Sequence, residues 1–301
     1  MINVFESVES NKHKSWLVVA GFVGFVLAAS YLMARGMAAY YGYESTGLEF
    51  LGLGLVISGV MSFASYYFSD RVVLGISGAT PANRKKDFLF YTVAENMALA
   101  AGMPVPKLYK IDDTAMNAFA TGRDPQHAAI CATTGLLTKL NRTELEGVIG
   151  HEMSHIANYD TRLMSIVTIL VGLLALLGDW LLRSTFWGRR SRDDEDKSSG
   201  GLFLVLGLFM AVISPVIAQI IQLAISRRRE FLADASSVKL TRQPSGLISA
   251  LKKLGADKEP LEAANRATAH LYIVDPFKGL AKLFNTHPSL TERIKALESM
   301  A

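Results

Sequence analysis

Four long apolar stretches limit what this chain can fold into more than any other feature. Ser15 to Ala34 and Leu51 to Phe68 carry no charge, Leu163 to Leu182 carries only Asp179, and Leu202 to Ile225 carries none. Each is about the length that crosses a hydrocarbon core of roughly 30 Å at 1.5 Å per residue. The first stretch follows Lys12 and Lys14, as the apolar part of a signal peptide would. It is longer than that part usually is, and a second apolar run follows, so a retained span is expected. The second pair holds Gly172, Gly178, Asp179 and Pro215, which would suit a re-entrant or protein-packed segment as well as two full crossings.

The net charge is +4 with Lys and Arg scattered, so no nucleic-acid footprint is present and no nucleic-acid partner is expected. Cys131 is the one cysteine, which rules out an intramolecular disulfide. It lies in an apolar run that reads as a buried strand.

The chain therefore divides into an N-terminal arm with the first hairpin (1–69), a soluble part (70–162), a second membrane hairpin (163–225) and a second soluble part (226–301). Residues 1–14 read as a polar arm. The aromatic, Gly-rich connection from Arg35 to Glu49 suits a membrane interface, and the linker 183–200 reads as a solvated loop. A helix is expected from about Asn83 to Ala101, stopped by Gly102 with Pro104 and Pro106 beyond. Strands are expected at Lys107–Asp112, Ala115–Thr121 and Ala128–Thr133, the last two joined by a turn at Gly122–Pro125. Thr143 and Glu146 have capping-box spacing, and nothing in the sequence breaks the following helix before Leu163. Ser289 and Glu292 repeat the pattern at the final helix. The two soluble parts are expected to form one discontinuous domain.

The informative motif is His151-Glu152-Met153-Ser154-His155. Residues four apart lie one turn apart on a helix face, so both imidazoles can reach one metal ion. Glu152, beside the first ligand, can act on a water at the open position without binding the metal. A catalytic zinc needs a third protein ligand. Position 161 is Thr, so a third His six residues on is absent. Glu230 is the best candidate, with Asp234 on the same face to orient a ligand histidine. The other reading is that Glu230 only pairs with Arg227 or caps the arginine run Arg227 to Arg229.

Zinc shared between His155 and Glu230 requires an even number of crossings between them. Lys12, Lys14, Arg84, Lys85, Lys86 and Arg227 to Arg229 point to a cytoplasmic site. Arg183, Arg189, Arg190 and Arg192 conflict with two full crossings, a conflict that a shallow second hairpin would remove.

Joined to Glu230-x-x-x-Asp234, the flanking apolar pairs and Asn117-Ala118-Phe119-Ala120-Thr121-Gly122, the motif resembles that of the HtpX-type membrane zinc peptidases, relatives of the CAAX prenyl endopeptidases. The resemblance covers nearly the whole chain. It implies a mainly α membrane protein with four membrane helices and a discontinuous α+β zincin-like (gluzincin) domain carrying a small sheet. It implies one Zn2+ per chain on His151, His155 and Glu230, and a multi-pass cell-membrane protein with its site facing the cytoplasm. Its work would be quality control on misfolded membrane proteins or unfolded polypeptides. By the same resemblance Asn117, Ala118, Phe119 and Ala120 form a strand near the site that could bind substrate as an added strand. His287 and Arg293 could stabilise an oxyanion. Two rivals stay open: a site-2-type intramembrane metalloprotease, and a membrane scaffold or transporter with a structural metal.

Overall fold

The computed structural model describes residues 4–41, 44, 46, 48, 51–173, 227–264, 268–277 and 288–300. Helix α1 (Val4–Tyr41) and helix α2 (Leu51–Ile76) form the first hairpin. Segments Val8–Leu32 and Leu51–Ile76 within them are long and apolar enough to cross a membrane. Their inner face is made of small residues: Ser58, Ser62, Ser65 and Ser69 are buried on α2, and a side chain at Gly54 would strike Ser30. The outer face keeps Val56, Val60 and Phe63 about 60% exposed (62%, 63% and 59%), as lipid contact requires. The expected polar arm is instead the first turns of α1, and its residue Asn11 is buried.

The sheet follows. Strands β1 (Thr80–Pro81), β2 (Lys107–Ile111), β3 (Ala118–Gly122) and β4 (Ala128–Thr133) lie in the order β1-β2-β4-β3. β4 is central, parallel to β2 and antiparallel to β3, and β3 is an edge. Cys131 is buried on β4, and burial pushes its thiol well above the ordinary value. The β3 strand starts later than expected: the Asn117 carbonyl still accepts from the Thr133 N–H, but the Asn117 N–H donates to the Thr133 hydroxyl in place of its carbonyl, and the regular ladder begins at Ala118. Helix α3 (Phe88–Ala101) also starts late. Residues 83–87 form a turn in which Asp87 accepts from the Asn83 N–H and Asn83 from the Lys85 N–H. Gly102 closes α3 in the left-handed conformation, with φ +64°. Between β3 and β4 a short 3-10 turn, Pro125–His127, is capped by Asp124.

After β4 come helix α4 (Thr134–Lys139) and helix α5 (Arg142–Ala157), which carries the His-Glu-x-x-His motif. Its capping box is Asn141 with Glu144, two residues before the expected pair. Both pairs have the right spacing, but Glu144 is also gripped by Ser249 and Lys253, and that tertiary anchor selects the earlier start. The helix does not run on into the third apolar stretch. It stops at Asn158, Tyr159 takes φ +59°, and helix α6 (Asp160–Leu173) leaves at 79° to α5. The physical reason lies in long-range bonds at the corner, described below, which no local pattern reveals.

The described part of α6 packs Leu163, Ile166, Val167 and Leu170 against Val18 and Phe22 of α1. The linker and the rest of the second apolar pair lie outside the described residues. Helix α7 (Arg227–Thr241), helix α8 (Pro244–Ala256) and helix α9 (Leu290–Glu298) complete the fold. The Ser289–Glu292 capping box opens α9 as the spacing predicts. The main core joins α3, α5, α8 and one face of the sheet, through residues such as Phe90, Ile130, Val148, Ile149 and Leu251. A second cluster fills the other face, where Phe119 meets Tyr272 edge-on.

Candidate metal centre

The site forms where α5 crosses α7 at very close range. Glycines on α5 permit this. A side chain at Gly150 would meet Ser237 Oγ of α7 at 2.9 Å, and one at Gly147 would meet the Leu247 backbone of α8 at 2.7 Å, so the two glycines let both helices press on α5. Ser237 Oγ donates to the Gly147 carbonyl at 2.7 Å. The crossing brings Glu230, in the first turn of α7, to the two histidines of α5.

One ligand-type atom from each of His151, His155 and Glu230 lies within 4.8 Å of the others, and all three residues are buried. His151 Nδ1 lies 2.9 Å from Asp234 Oδ1, and His155 Nδ1 lies 3.0 Å from Asp160 Oδ2. A carboxylate only accepts, so each Nδ1 carries its hydrogen and each Nε2 presents a lone pair. The two Nε2 atoms face each other at 3.1 Å, with Glu230 oxygens 3.7 Å from His151 Nε2 and 3.6 Å from His155 Nε2. Lone pairs and a carboxylate converging in a buried space repel unless a positive charge sits among them. A proton can serve. Burial works against the His155 imidazolium, yet the Asp160 hydrogen bond and the charges of Glu230, Asp160 and Glu152 raise its pKa to about 9. A divalent ion would displace that proton. Tetrahedral zinc, with bonds of about 2.0–2.1 Å, sets its ligand atoms roughly 3.3 Å apart, so this donor set fits the ion.

The layer behind the ligands is built from charge pairs. Arg293 is wholly buried and grips Asp234 with two bonds, Nε at 2.8 Å and Nη2 at 2.6 Å. Its Nη1 donates to the Ile273 carbonyl at 3.0 Å and lies 3.4 Å from Glu230 Oε2. Burial alone would raise the Asp234 carboxyl, but Arg293 and the His151 bond hold it down at about 2. Burial, followed by the Arg293 charge, lowers the His151 imidazole. Arg293 lies beside His151, Glu230 and Asp234, and its guanidinium is committed to holding Asp234 and Glu230. His287 lies outside the described residues.

Glu152 is buried next to the ligands. Burial and the Glu230 charge push its carboxyl up, against the pull of His155, Arg293 and the Ala120 backbone hydrogen bond, to about 7. Of the expected substrate strand, Ala120 is therefore the residue brought to Glu152. Asn117 Nδ2 donates to the Val274 carbonyl, and the Ala118 carbonyl accepts from the Ile273 N–H, so that end of the β3 edge is covered by residues 273–274. Phe119 points to the opposite face, against Tyr272.

Asp160 was not singled out by the sequence. In a continuous helix a residue five positions after His155 would face away from it, and only the corner at Tyr159 turns it back. The polar run Asn158-Tyr159-Asp160, set between the motif and an apolar stretch, was the available signal.

The profile of Peptidase family M48 matches residues 89–301. The chain is 43% identical over 300 residues to the Protease HtpX homolog of Caldanaerobacter subterraneus subsp. tengcongensis, covering 99% of this chain and 98% of that one. It is also 43% identical over 304 residues to the Protease HtpX homolog of Streptococcus pneumoniae, covering 99% and 100%. The crystal structure of S. mikatae Ste24p is similar with a TM-score of 0.48 at 20% identity, covering 95% of this chain and 65% of that chain. The family match spans both halves of the metal centre, α5 and α7, and the relatives extend it through α1 and α2: this chain belongs to peptidase family M48.

Proposed function

We propose that this chain is a zinc-dependent membrane endopeptidase that cuts loose polypeptide segments at the cytoplasmic membrane surface. The observation that carries the reading is the convergence of His151, His155 and Glu230 with Glu152 buried beside them. Membership in a peptidase family and the apolar helices α1 and α2 support a membrane metalloprotease in general. Zinc, the cytoplasmic side and the substrate class are our reading.

His151, His155 and Glu230 would hold the zinc ion, which when bound would supply Lewis-acid chemistry, polarising a scissile carbonyl and lowering the pKa of a water. Glu152 takes the proton of the attacking water on its carboxylate and passes it to the leaving amine. A base with a pKa near neutrality suits both transfers. Asp234 and Asp160 keep the two imidazoles in the tautomer that offers Nε2. Arg293 holds Asp234 and Glu230 in place and acts as a positioning residue. Extended substrate would add to β3 from Ala120 onward, since the edge at Ala118 is already paired with Ile273.

The corner between α5 and α6 favours this reading over an intramembrane protease, because the motif helix is turned 79° from the apolar one. Glu152 argues against a structural metal, which has no use for a buried base beside its ligands. Lys12, Lys14 and Arg227 to Arg229, near the ends of α1 and α7, support a cytoplasmic site. A quality-control role fits a site that reads backbone rather than sequence.

The deciding experiment reconstitutes the full chain with a membrane protein that carries an unfolded cytoplasmic segment. Cuts should map outside the membrane, show weak sequence preference, and vanish in Glu152→Gln. Cuts deep in a transmembrane segment would favour the intramembrane rival, and a zinc-loaded wild type that cuts nothing would favour the scaffold.

A further inference from the structure

We infer that Asn11, on the first membrane helix, is a positioning residue for the metal centre, acting on His155 through Asp160. The inference rests on the proposed metal site. The Asn11 side-chain nitrogen makes two bonds at once: to Asp160 Oδ1 at 2.7 Å and to the Asn158 carbonyl at 2.8 Å. The other Asp160 oxygen, Oδ2, lies 3.0 Å from His155 Nδ1. Asn11, Asn158 and Asp160 are all 3% exposed or less.

The chemistry selects asparagine. Both partners are acceptors, so the amide nitrogen must face them, and only an NH2 group offers two neutral donors from one atom. Aspartate at this position would set a carboxylate against Asp160. An apolar residue would leave a buried carbonyl and a buried carboxylate oxygen short of a donor. Arg229 Nε, 3.3 Å from Asp160 Oδ1, adds charge but does not reach the Asn158 carbonyl in the way Asn11 does.

The two bonds act on the corner between α5 and α6. Asn158 ends α5, Tyr159 has positive φ, and Asp160 starts α6. A positive φ at tyrosine is strained, and such a residue persists only where its surroundings hold it. Asn11 grips the residue on each side of it. Lys12 Nζ lies 4.4 Å from the centre of the Tyr159 ring and closes the same contact. The helical register of α1 therefore helps to set the direction of the His155 ring. Lys12 and Lys14 keep this part of α1 at the polar edge of the membrane. A shift or tilt of α1 would reach the zinc ligand through one side chain.

The test uses the full-length protein in detergent, as wild type, Asn11→Ala, Asn11→Asp, and Asn11→Asp combined with Asp160→Asn. Ser30→Ala, elsewhere on α1, is the control. Zinc affinity is read by chelator competition, and ligand geometry by the visible spectrum of the cobalt-substituted protein. Removing partners that orient metal ligands weakens affinity by about 10- to 100-fold. Asn11→Ala should fall near the lower end of that range with an altered cobalt spectrum, and Asn11→Asp should fall further. The double variant should recover part of the loss, because the amide at 160 can donate to the carboxylate at 11. Ser30→Ala should match wild type. Wild-type affinity and spectrum in both single variants, or a double variant no better than Asn11→Asp, would overturn the inference while leaving the metal site intact. A wild type that takes up no zinc would overturn the metal reading itself, and this inference with it.

Discussion

Ser237 Oγ donates to the Gly147 carbonyl across 2.7 Å, and this single bond marks the point where α7 lies directly on α5. Two turns earlier on α7, Glu230 reaches the histidines. The closeness of two backbones, more than any side chain, sets the reach of the third ligand.

Alanine at Gly147, where α8 presses on the same helix, should be costly. Its Cβ would meet the Leu247 nitrogen at 2.7 Å and Cα at 2.8 Å, both backbone atoms that cannot step aside. Overpacking of this kind costs about 1–3 kcal/mol, more than alanine regains in helix propensity. Gly150→Ala meets the Ser237 hydroxyl first and should cost less. Denaturant unfolding in detergent checks the order, and equal stability of the two variants would refute it.

Glu152→Gln should keep zinc and lose peptidase activity. The amide cannot take the proton, while every ligand remains. Loss of a general base costs on the order of 10² to 10⁴ in rate. Metal analysis beside a turnover assay separates this outcome from simple loss of the ion.

Removal of Arg293 should cost zinc as well as turnover. Arg293→Ala leaves the Asp234 carboxylate buried without its two-bond partner and frees Glu230 to move. Breaking a buried pair by removing one member costs roughly 3–5 kcal/mol. Zinc retained after dialysis should fall below wild type, and full retention with lower turnover would return Arg293 to a direct part in the chemistry.

Glu144 gives a pH test away from the metal. Its carboxylate accepts from the Asn141 N–H, from Ser249 at 2.6 Å and from Lys253 at 2.7 Å, joining α5 to α8. Burial alone would raise its pKa, but these three partners together hold it below the ordinary value of 4.5. A carboxyl lowered in the folded state stabilises above its unfolded pKa, and loses that contribution as pH falls through the folded one. Glu144→Gln should cost about 1–2 kcal/mol at pH 7, allowing for the half-exposed Lys253. The gap from wild type should narrow as pH drops below 4.5. Chemical denaturation at pH 7 and pH 4 measures it, and a constant gap would show that Glu144 acts only by shape.

The spacing of His151, Glu152 and His155 needed only the pitch of one helix to be read, and the capped start of α9 was equally local. Glu230 could be named from the residues only as a candidate, and the resemblance singled it out, because nothing near it in sequence says which of two carboxylates would face a metal. Asn11 and Asp160 escaped both routes. Their meeting depends on a corner at Tyr159 and on the packing of α1 against α6, and each link joins residues far apart in the chain. The same limit misplaced the start of α5. Two overlapping capping patterns were available, and distant Ser249 and Lys253 chose between them.

The candidate ligands come from two segments that flank the whole stretch 174–226. An ion joining His155 to Glu230 would therefore act as a removable cross-link, closing that stretch into a loop. Closing a long loop restricts the unfolded chain more than closing a short one, and binding free energy at such a site is folding free energy. Loss of zinc should then loosen the attachment of α7 to α5 and expose the two halves to outside proteases together. Metal supply to the membrane would govern how long each copy of the protein survives, apart from how fast it works.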